Sequence, residues 1–311
     1  MDTRTLKADA LLLLTATLWG FAFVAQRVGM EYVGPFTFNG IRFALGSLSL
    51  LPLLAIMGGK RGAPPILPQA GFKTMLAGGV VAGMVLFAGA SLQQIGIVYT
   101  TAGKAGFITG LYVVLVPILG LFWHQRLAAG TWIGALLAAI GLYLLSITER
   151  FTLAFGDLLV LLGAFFWAAH VLILGWLSPR MDSLKLAFLQ FAVCSLLSLL
   201  TAIAVEEFTL PGLVKAALPI LYGGLISVGV AYTLQVVAQR DAKPAHAGIL
   251  LSMETVFAAV GGYLFLGETL STRGLLGCSL MLAGMLSSQL SRYFVKAPAI
   301  FPRRIKHANN R

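Results

Sequence analysis

The sequence has few charged residues and very few cysteines. Charged residues make up 11% and hydrophobic residues 59% of the 311 positions, whereas soluble domains have about 25% charged and about 45–50% apolar residues. So little charge excludes the surface of an ordinary water-soluble protein.

The only cysteines, Cys194 and Cys278, both lie in apolar stretches. This excludes a disulfide scaffold and a cysteine-based metal site, and no cofactor is expected.

In place of charge, the sequence has ten long apolar stretches. One helical crossing of the hydrocarbon core takes roughly 20 apolar residues. We therefore predict an all-α integral membrane protein with ten transmembrane helices. The predicted crossings are 10–26, 35–57, 74–99, 105–123, 127–148, 158–177, 186–205, 216–239, 244–267 and 274–291.

The basic residues between these stretches are distributed unequally, and this predicts the orientation. If the N-terminus is cytoplasmic, sixteen Lys and Arg residues fall on the cytoplasmic side; the opposite side holds Arg27, Lys104, Arg150, Lys215 and Arg273. The positive-inside rule therefore places both termini in the cytoplasm. The basic tail, 296–311, is expected to lie near anionic lipid headgroups and not to bind nucleic acid.

The second part of the sequence repeats the first. A shift of 148 aligns Asp9 with Asp157, Trp19 with Trp167, Phe43 with Phe191 and Ser47 with Ser195. A shift of 142 aligns Gln93 with Gln235 and Gly106 with Gly248, and a shift of 143 aligns Gly134 with Gly277. We therefore expect two five-helix halves, 1–150 and 151–295. Because five crossings are an odd number, the halves are inverted repeats, an arrangement typical of secondary transporters.

Several segments together resemble one membrane protein family. They are Trp19-Gly20 in helix 1, Ile41-Arg42-Phe43 in helix 2, the stretch from Gly106 to Pro117 in helix 4, and Glu254 with Gly267-Glu268 around helix 9. With them the chain resembles the EamA-type members of the drug/metabolite transporter superfamily over nearly its whole length. It departs from them at Gln125-Arg126, where the family often has an acid, and at Thr255, where the family has a proline.

The resemblance implies a function and a location. It implies transport of small polar or amphipathic metabolites, most commonly amino acids, across the inner (plasma) membrane. The pathway would be lined by helices 1, 3, 4, 6, 8 and 9, and we expect export by alternating access. Coupling to protons, facilitated diffusion and exchange all remain open, and so does the choice between a monomer and a homodimer.

The candidate substrate-binding residues are aromatic and polar side chains within the predicted crossings. They are Trp19, Gln93, Tyr99, Tyr112, Trp167, His170, Tyr232, Gln235 and Glu254. Trp19 and Trp167 each follow an Asp by ten residues, about 15 Å of helix, which places both near the bilayer midplane. They either pack against neighbouring helices or form an aromatic wall around the substrate.

Arg42 and Glu254 are the two full charges well inside the predicted crossings. A charge at such depth costs several kcal/mol unless it is paired or hydrated. Arg42 either clamps backbone carbonyls or binds a substrate carboxylate. Glu254 either carries a proton, binds a cationic group or pairs with Arg42. Asp9 and Asp157, by contrast, are expected to cap the first helix of each half.

Two alternatives to this transporter stay open. An integral membrane enzyme acting on a lipid-linked substrate would need paired carboxylates for a metal, or a nucleophile with its base. The sequence has no His-Glu-x-x-His motif, Asp cluster or Gly-rich phosphate loop, and we predict no enzymatic activity. The second alternative is a transporter of another substrate class, such as drugs or sugars.

Overall fold

The computed structural model describes residues 3–57, 71–121, 129–146, 154–177, 180–207, 209–238 and 250–294. Within these ranges all regular secondary structure is helical. In chain order the helices are α1 (Thr3–Gly29), α2 (Pro35–Met57), α3 (Phe72–Val98), α4 (Ala102–Gly110), α5 (Tyr112–Gly120), α6 (Ala129–Ser146), α7 (Phe155–Leu177), α8 (Ser183–Val205), α9 (Leu210–Lys215), α10 (Ala217–Leu221), a π-helical segment (Tyr222–Ala231), α11 (Tyr232–Ala238), α12 (Glu254–Leu266) and α13 (Thr272–Phe294).

Seven helical spans in the described ranges are long and apolar enough to cross a membrane. Two of them join consecutive shorter elements: Ala102–Gly120 contains α4 and α5, and Ala217–Gln235 runs from α10 into α11. The seven spans coincide with seven of the predicted crossings. The predicted crossings at 127–148 and 244–267 coincide with two shorter apolar helices, Trp132–Leu145 and Leu250–Leu266. The last predicted crossing, 274–291, lies on α13. The all-α membrane architecture is confirmed, and the full count of ten crossings stays a prediction.

The distribution of side chains is that of a protein surrounded by lipid. Large apolar side chains cover the outside, as Leu136 and Ile203 show with 63% and 71% exposure. Polar side chains lie inside, and Asn39 and Gln94 are fully buried. A water-soluble bundle differs at its surface, which is covered mainly by charged and polar side chains because water solvates it. The polar groups inside must therefore find partners within the protein.

The two halves of the sequence interlock in the structure. Three contacts join helices that the repeat makes equivalent: α2 packs on α8, α4 on α12 and α6 on α13. Further contacts place α3 against α7 and α1 against α12. The interior is therefore built between the halves, and a residue from one half regularly meets a residue from the other.

Both halves contain a helix that is interrupted at the same place. The chain changes from α4 to α5 at Leu111, whose N–H donates to the carbonyl of Ile108 at 3.2 Å. It enters α12 at Met253, whose N–H donates to the carbonyl of Leu250, also at 3.2 Å. Each bond spans three residues and tightens the helix locally. The repeat shift of 142 relates Leu111 to Met253, so the two interruptions are equivalent.

The predicted capping roles of Asp9 and Asp157 are wrong. Helix α1 begins at Thr3, so Asp9 lies inside it. Helix α7 begins at Phe155, and Asp157 lies in its first turn. The Asp157 carboxylate forms an ion pair with Lys104 at 2.6 Å and accepts a hydrogen bond from Thr100 at 2.5 Å. The local sequence predicted a helix cap, but the Asp157 carboxylate instead binds residues that are distant in sequence.

Glycines allow α6 and α13 to approach very closely. A side chain at Gly277 would place its Cβ 2.7 Å from the Gly141 carbonyl oxygen and 3.1 Å from the Leu145 nitrogen. Both obstacles are backbone atoms, which cannot swing aside. Gly277 therefore lets α13 lie directly against the backbone of α6.

We expect Gly277→Ala to destabilise the protein by about 1–3 kcal/mol, the usual effect of overpacking. Thermal unfolding of the purified protein in detergent measures the change. Gly274→Ala on the same helix is the matched control, because its Cβ would lie no closer than 3.4 Å to any neighbour. Equal melting temperatures for the two variants would contradict the close helix contact.

Candidate functional site

An aromatic row crosses the interior from one half to the other. Trp19 on α1 stacks edge to face with Tyr232 at 4.7 Å between ring centroids. Tyr232 in turn contacts Phe191 at 5.4 Å, and Phe191 contacts Phe43 at 6.1 Å. The indole N–H of Trp19 donates to the carbonyl of Ser227 at 3.2 Å. The structure thus places Trp19 and Tyr232 together as neighbours in this aromatic row.

Trp167, the repeat equivalent of Trp19, belongs to a polar network centred on Gln93. The Gln93 carbonyl oxygen accepts the Trp167 indole N–H at 2.9 Å and the Thr109 hydroxyl at 3.2 Å. The Gln93 amide nitrogen donates to the Gln26 side chain at 2.9 Å. Gln26 and Thr109 were not among the candidate residues predicted from the sequence. The available signal was that each is a polar residue within or at the edge of an apolar stretch.

Arg42 is buried, with 4% of its surface exposed. Its Nε donates to the Asn39 side-chain oxygen at 3.0 Å, and Asn39 in turn donates to the Ala90 carbonyl at 3.1 Å. The guanidinium carbon lies 4.9 Å from the Phe43 ring centre and 5.6 Å from that of Phe38. Aromatic faces attract a cation most strongly where water is absent. The Arg42 charge is therefore stabilised by two aromatic rings and by the side-chain amide of Asn39.

Glu254 is the first residue of α12 and is 4% exposed. Its carboxylate is hydrogen-bonded to the Tyr112 hydroxyl. Tyr112 is the first residue of α5, and the repeat shift of 142 relates it to Glu254. The two equivalent helix interruptions therefore meet through their first side chains. The second carboxylate oxygen, Oε1, is buried and has no hydrogen-bond partner among the described residues.

The predicted pairing of Glu254 with Arg42 does not form in the structure. In the described ranges, the ion pair within 4 Å joins Lys104 and Asp157 instead. Tyr232 nevertheless interacts electrostatically with both Arg42 and Glu254. The buried cation and the buried acid are thus both near Tyr232 without forming an ion pair with each other.

Glycine at position 20 brings α1 onto the start of α12. A Cβ at this position would lie 2.8 Å from the Glu254 carbonyl oxygen and 2.9 Å from the Ala258 nitrogen. Any larger residue would push the two helices apart. Trp19 and Gly20 therefore contribute differently: Trp19 contacts the Tyr232 ring, and Gly20 allows the backbone at Glu254 to approach α1.

His170 and Gln190 form a second buried pair. Their side chains lie 2.7 Å apart, between His170 Nε2 and the Gln190 oxygen. The His170 ring also contacts the Trp167 ring edge to face at 6.0 Å. The repeat shift of 148 relates Gln190 to Arg42. The position that carries a positive charge in the first half is therefore a neutral amide in the second, bonded to an imidazole.

The remaining two predicted residues have different environments. Gln235 is buried on α11, at 8% exposure. Tyr99 lies at the end of α3, is 61% exposed and packs on Phe155 with 5.3 Å between ring centroids. The structure therefore places Tyr99 at the exposed end of α3 and not in the aromatic row.

These features define a class: a multi-pass helical membrane protein with a polar and aromatic interior between two halves. The model of the EamA-like transporter family matches residues 6–147 and again residues 154–288. The chain belongs to this family, and the predicted membership of the EamA-type transporters of the drug/metabolite superfamily is confirmed.

Similar proteins are also named as transporters. An uncharacterized transporter of Archaeoglobus fulgidus is 32% identical over 91% of this chain and 86% of its own length. The uncharacterized inner membrane transporter YedA of Escherichia coli K12 is 24% identical over 92% of each chain. A crystal structure of a protein with 19% identity superposes with a TM-score of 0.66, covering 92% of this chain and 98% of that one, which shows a shared fold.

Proposed function

We propose that this protein exports small amphipathic metabolites, amino acids first among them, by alternating access. In this proposal ten helices cross the inner membrane as two inverted repeats, 1–150 and 151–295, and both termini and the basic tail 296–311 are cytoplasmic. The contacts between equivalent helices support the repeat, because α2 meets α8 and α4 meets α12. Two halves that can exchange conformations are able to expose one site to each side in turn.

The observation that carries the proposal is that two buried charges, Arg42 and Glu254, both interact with Tyr232 and do not pair with each other. An amino acid has a carboxylate and an ammonium group a few bonds apart. In our proposal Arg42 attracts the carboxylate and Glu254, through its unbonded oxygen, attracts the ammonium group. The row of Trp19, Tyr232 and Phe191 would hold an apolar or aromatic side chain. Because Arg42 and Glu254 do not pair with each other, a zwitterionic substrate can form an ion pair with each of them.

Other candidate residues would complete the pathway. The Gln93 network, with Trp167, joins α3 to α7, and we propose that it lines the same interior as the aromatic row. His170 and Gln235 are assigned to the polar lining, and Tyr112 to positioning Glu254. We propose further that Glu254 exchanges a proton during the cycle when no substrate ammonium occupies it.

Counterflow in proteoliposomes tests this function. Purified protein is reconstituted with an unlabelled amino acid inside, and uptake of labelled amino acids is measured over a panel that includes amines, sugars and drug-like cations. We expect saturable uptake of zwitterions that unlabelled amino acids compete away. Empty liposomes are the control. Saturable flux of sugars or drugs alone would reject the amino acid assignment, and no flux from folded protein for the whole panel would reject the proposed substrates.

A further inference from the structure

Three carboxylates of the second half hold the helix starts of the first half. They lie at the end of the bundle where α1 ends and α2 begins, which we call the distal end. The Glu206 carboxylate accepts the backbone N–H groups of Phe36 and Thr37, each at 2.8 Å. The Glu268 carboxylate accepts those of Ala102 and Gly103, at 2.7 and 3.0 Å.

The third carboxylate is Asp157, which pairs with Lys104 and Thr100. The α4 start is therefore held by two acids, Glu268 and Asp157, and the α2 start by one. These contacts belong to one region, because Met30, next to the end of α1, packs against both the core cluster that contains Ala102 and the one that contains Phe38. Carboxylates at helix starts form charge-assisted hydrogen bonds and favour the positive end of the helix dipole.

The equivalent helix start in the second half is held differently. The N–H groups of Leu184 and Lys185, at the start of α8, are capped locally by Asp182 at 3.0 and 3.2 Å. The repeat shift of 148 relates Asp182 to Gly34. A Cβ at Gly34 would collide with the Glu206 carboxylate. At the start of α2 the local cap is thus absent, and an acid from the other half fills its place.

At the opposite end the sequence supplies a matching acid for Asp157, which the repeat shift relates to Asp9, but none for Glu206 or Glu268. The repeat shifts relate Glu206 to Gly58 and Glu268 to Arg126, and they relate Lys104 to His246 and Ala102 to Pro244. A glycine and an arginine cannot accept backbone N–H groups as carboxylates do, and proline has no N–H to donate. The two ends of an otherwise repeated bundle therefore differ in the chemistry that can hold the halves together.

We infer that Glu206, Glu268 and Asp157 form a latch that keeps the distal end closed and biases the resting protein toward opening at the other end. The inference rests on the proposed function, since it assigns the latch to one of the two openings of alternating access. If both termini are cytoplasmic, the latched end faces away from the cytoplasm, and the resting site is open to substrate from inside the cell. A conformational preference of this kind is an energy difference between two states.

Labelling of an interior cysteine tests the latch directly. Cys194→Ala and Cys278→Ala remove the native thiols, and Ser227→Cys places one reporter beside Trp19. Sealed proteoliposomes of known orientation are treated with a membrane-impermeant maleimide from the distal side. We expect slow labelling of this parent and roughly tenfold faster labelling when Glu206→Gln and Glu268→Gln are added, a typical size for a coupling of this kind.

Asp182→Asn is the matched control, because Asp182 caps only its own helix; its labelling rate should equal that of the parent. An unchanged or lower rate in the Glu206→Gln/Glu268→Gln protein would overturn the latch, and so would an equal increase in Asp182→Asn. The result does not depend on flux, so it stands even if the tested metabolites are not transported.

A disulfide across the same end provides a second test. A Cβ at Gly103 would lie 3.7 Å from the Ala259 Cβ, close to the mean of about 3.8 Å in disulfides. In Gly103→Cys/Ala259→Cys, made in the cysteine-free background, we expect oxidation to stop counterflow and reduction to restore it. Full counterflow after oxidation would overturn the latch, because the distal end would not need to open. If the reduced protein also showed no counterflow, the result would count against the proposed function. The labelling rates described above would then still show whether the latch exists.

Discussion

Replacing Arg42 by glutamine is expected to lower counterflow of zwitterionic amino acids by about 10- to 100-fold, since a hydrogen bond to a charged group contributes about 1.5–3 kcal/mol and each 1.4 kcal/mol is tenfold. The substitution keeps a side chain that can bond Asn39 but removes the cation above the Phe43 ring. Flux of amines, which lack a carboxylate, should fall much less. Measurement of both classes in one preparation separates a lost carboxylate site from a damaged protein.

Arg180→Gln is the matched control for this experiment. Arg180 also lies over an aromatic ring, with its guanidinium carbon 4.8 Å from the Trp176 ring centre, but it is on the exterior between α7 and α8. Its loss should leave flux unchanged. Arg42→Lys should be only partly active, because an ammonium keeps the charge but loses the planar group that stacks on rings and bonds Asn39. Equal loss of amino acid and amine flux in Arg42→Gln would assign Arg42 to structure alone.

Replacing Glu254 by glutamine is expected to lower flux of amino acids by at least about tenfold and to remove its dependence on an imposed pH gradient. Glutamine has nearly the same shape and can still accept the Tyr112 hydrogen bond, so the lost property is the charge and the exchangeable proton. Buried ionisable groups within membrane helices are the usual carriers of protons in transporters. Flux of the parent and the variant is measured with and without a pH gradient at constant membrane potential.

Two further variants make the Glu254 result specific. Tyr112→Phe removes one hydrogen bond and keeps the carboxylate, so it should reduce flux by less than tenfold and preserve the response to pH. Glu207→Gln removes an exposed acid and should have no effect. A Glu254→Gln protein with the parent's flux and the parent's pH response would eliminate Glu254 as both ammonium site and proton carrier.

The sequence predicted the helices better than it predicted the contacts of the polar side chains. The predicted crossings fall on the observed helices because an apolar run of about 20 residues has no alternative conformation that satisfies its backbone in lipid. The structure adds helix interruptions at Leu111 and Met253 that the sequence did not predict, and the repeat shift of 142 relates them to each other. Trp19 and Tyr232 were both candidate residues, and the structure places their rings in contact; their role in substrate binding stays a prediction.

Other expectations depended on partners that are distant in sequence. Asp157 was expected to cap a helix, and its carboxylate instead reaches Lys104, 53 positions earlier. Tyr99 has the same residue type as Tyr232, but it lies at a helix end and packs on Phe155. Gln26 and Thr109 gave no strong local signal, and only the packing of α1 and α4 beside α3 brings them to Gln93.

The sequence by itself determined that this protein is a helical membrane protein of two related halves with one cation and one acid deep inside. These properties follow from composition, from the length of apolar runs and from the repeat, which are all readable along one chain. The tertiary structure alone decided that Arg42 rests on phenylalanine rings, that Glu254 meets Tyr112 and that Glu206 takes the place of a local helix cap. Such contacts depend on how helices pack across the two halves, and packing joins residues whose separation in sequence carries no information about their distance in space.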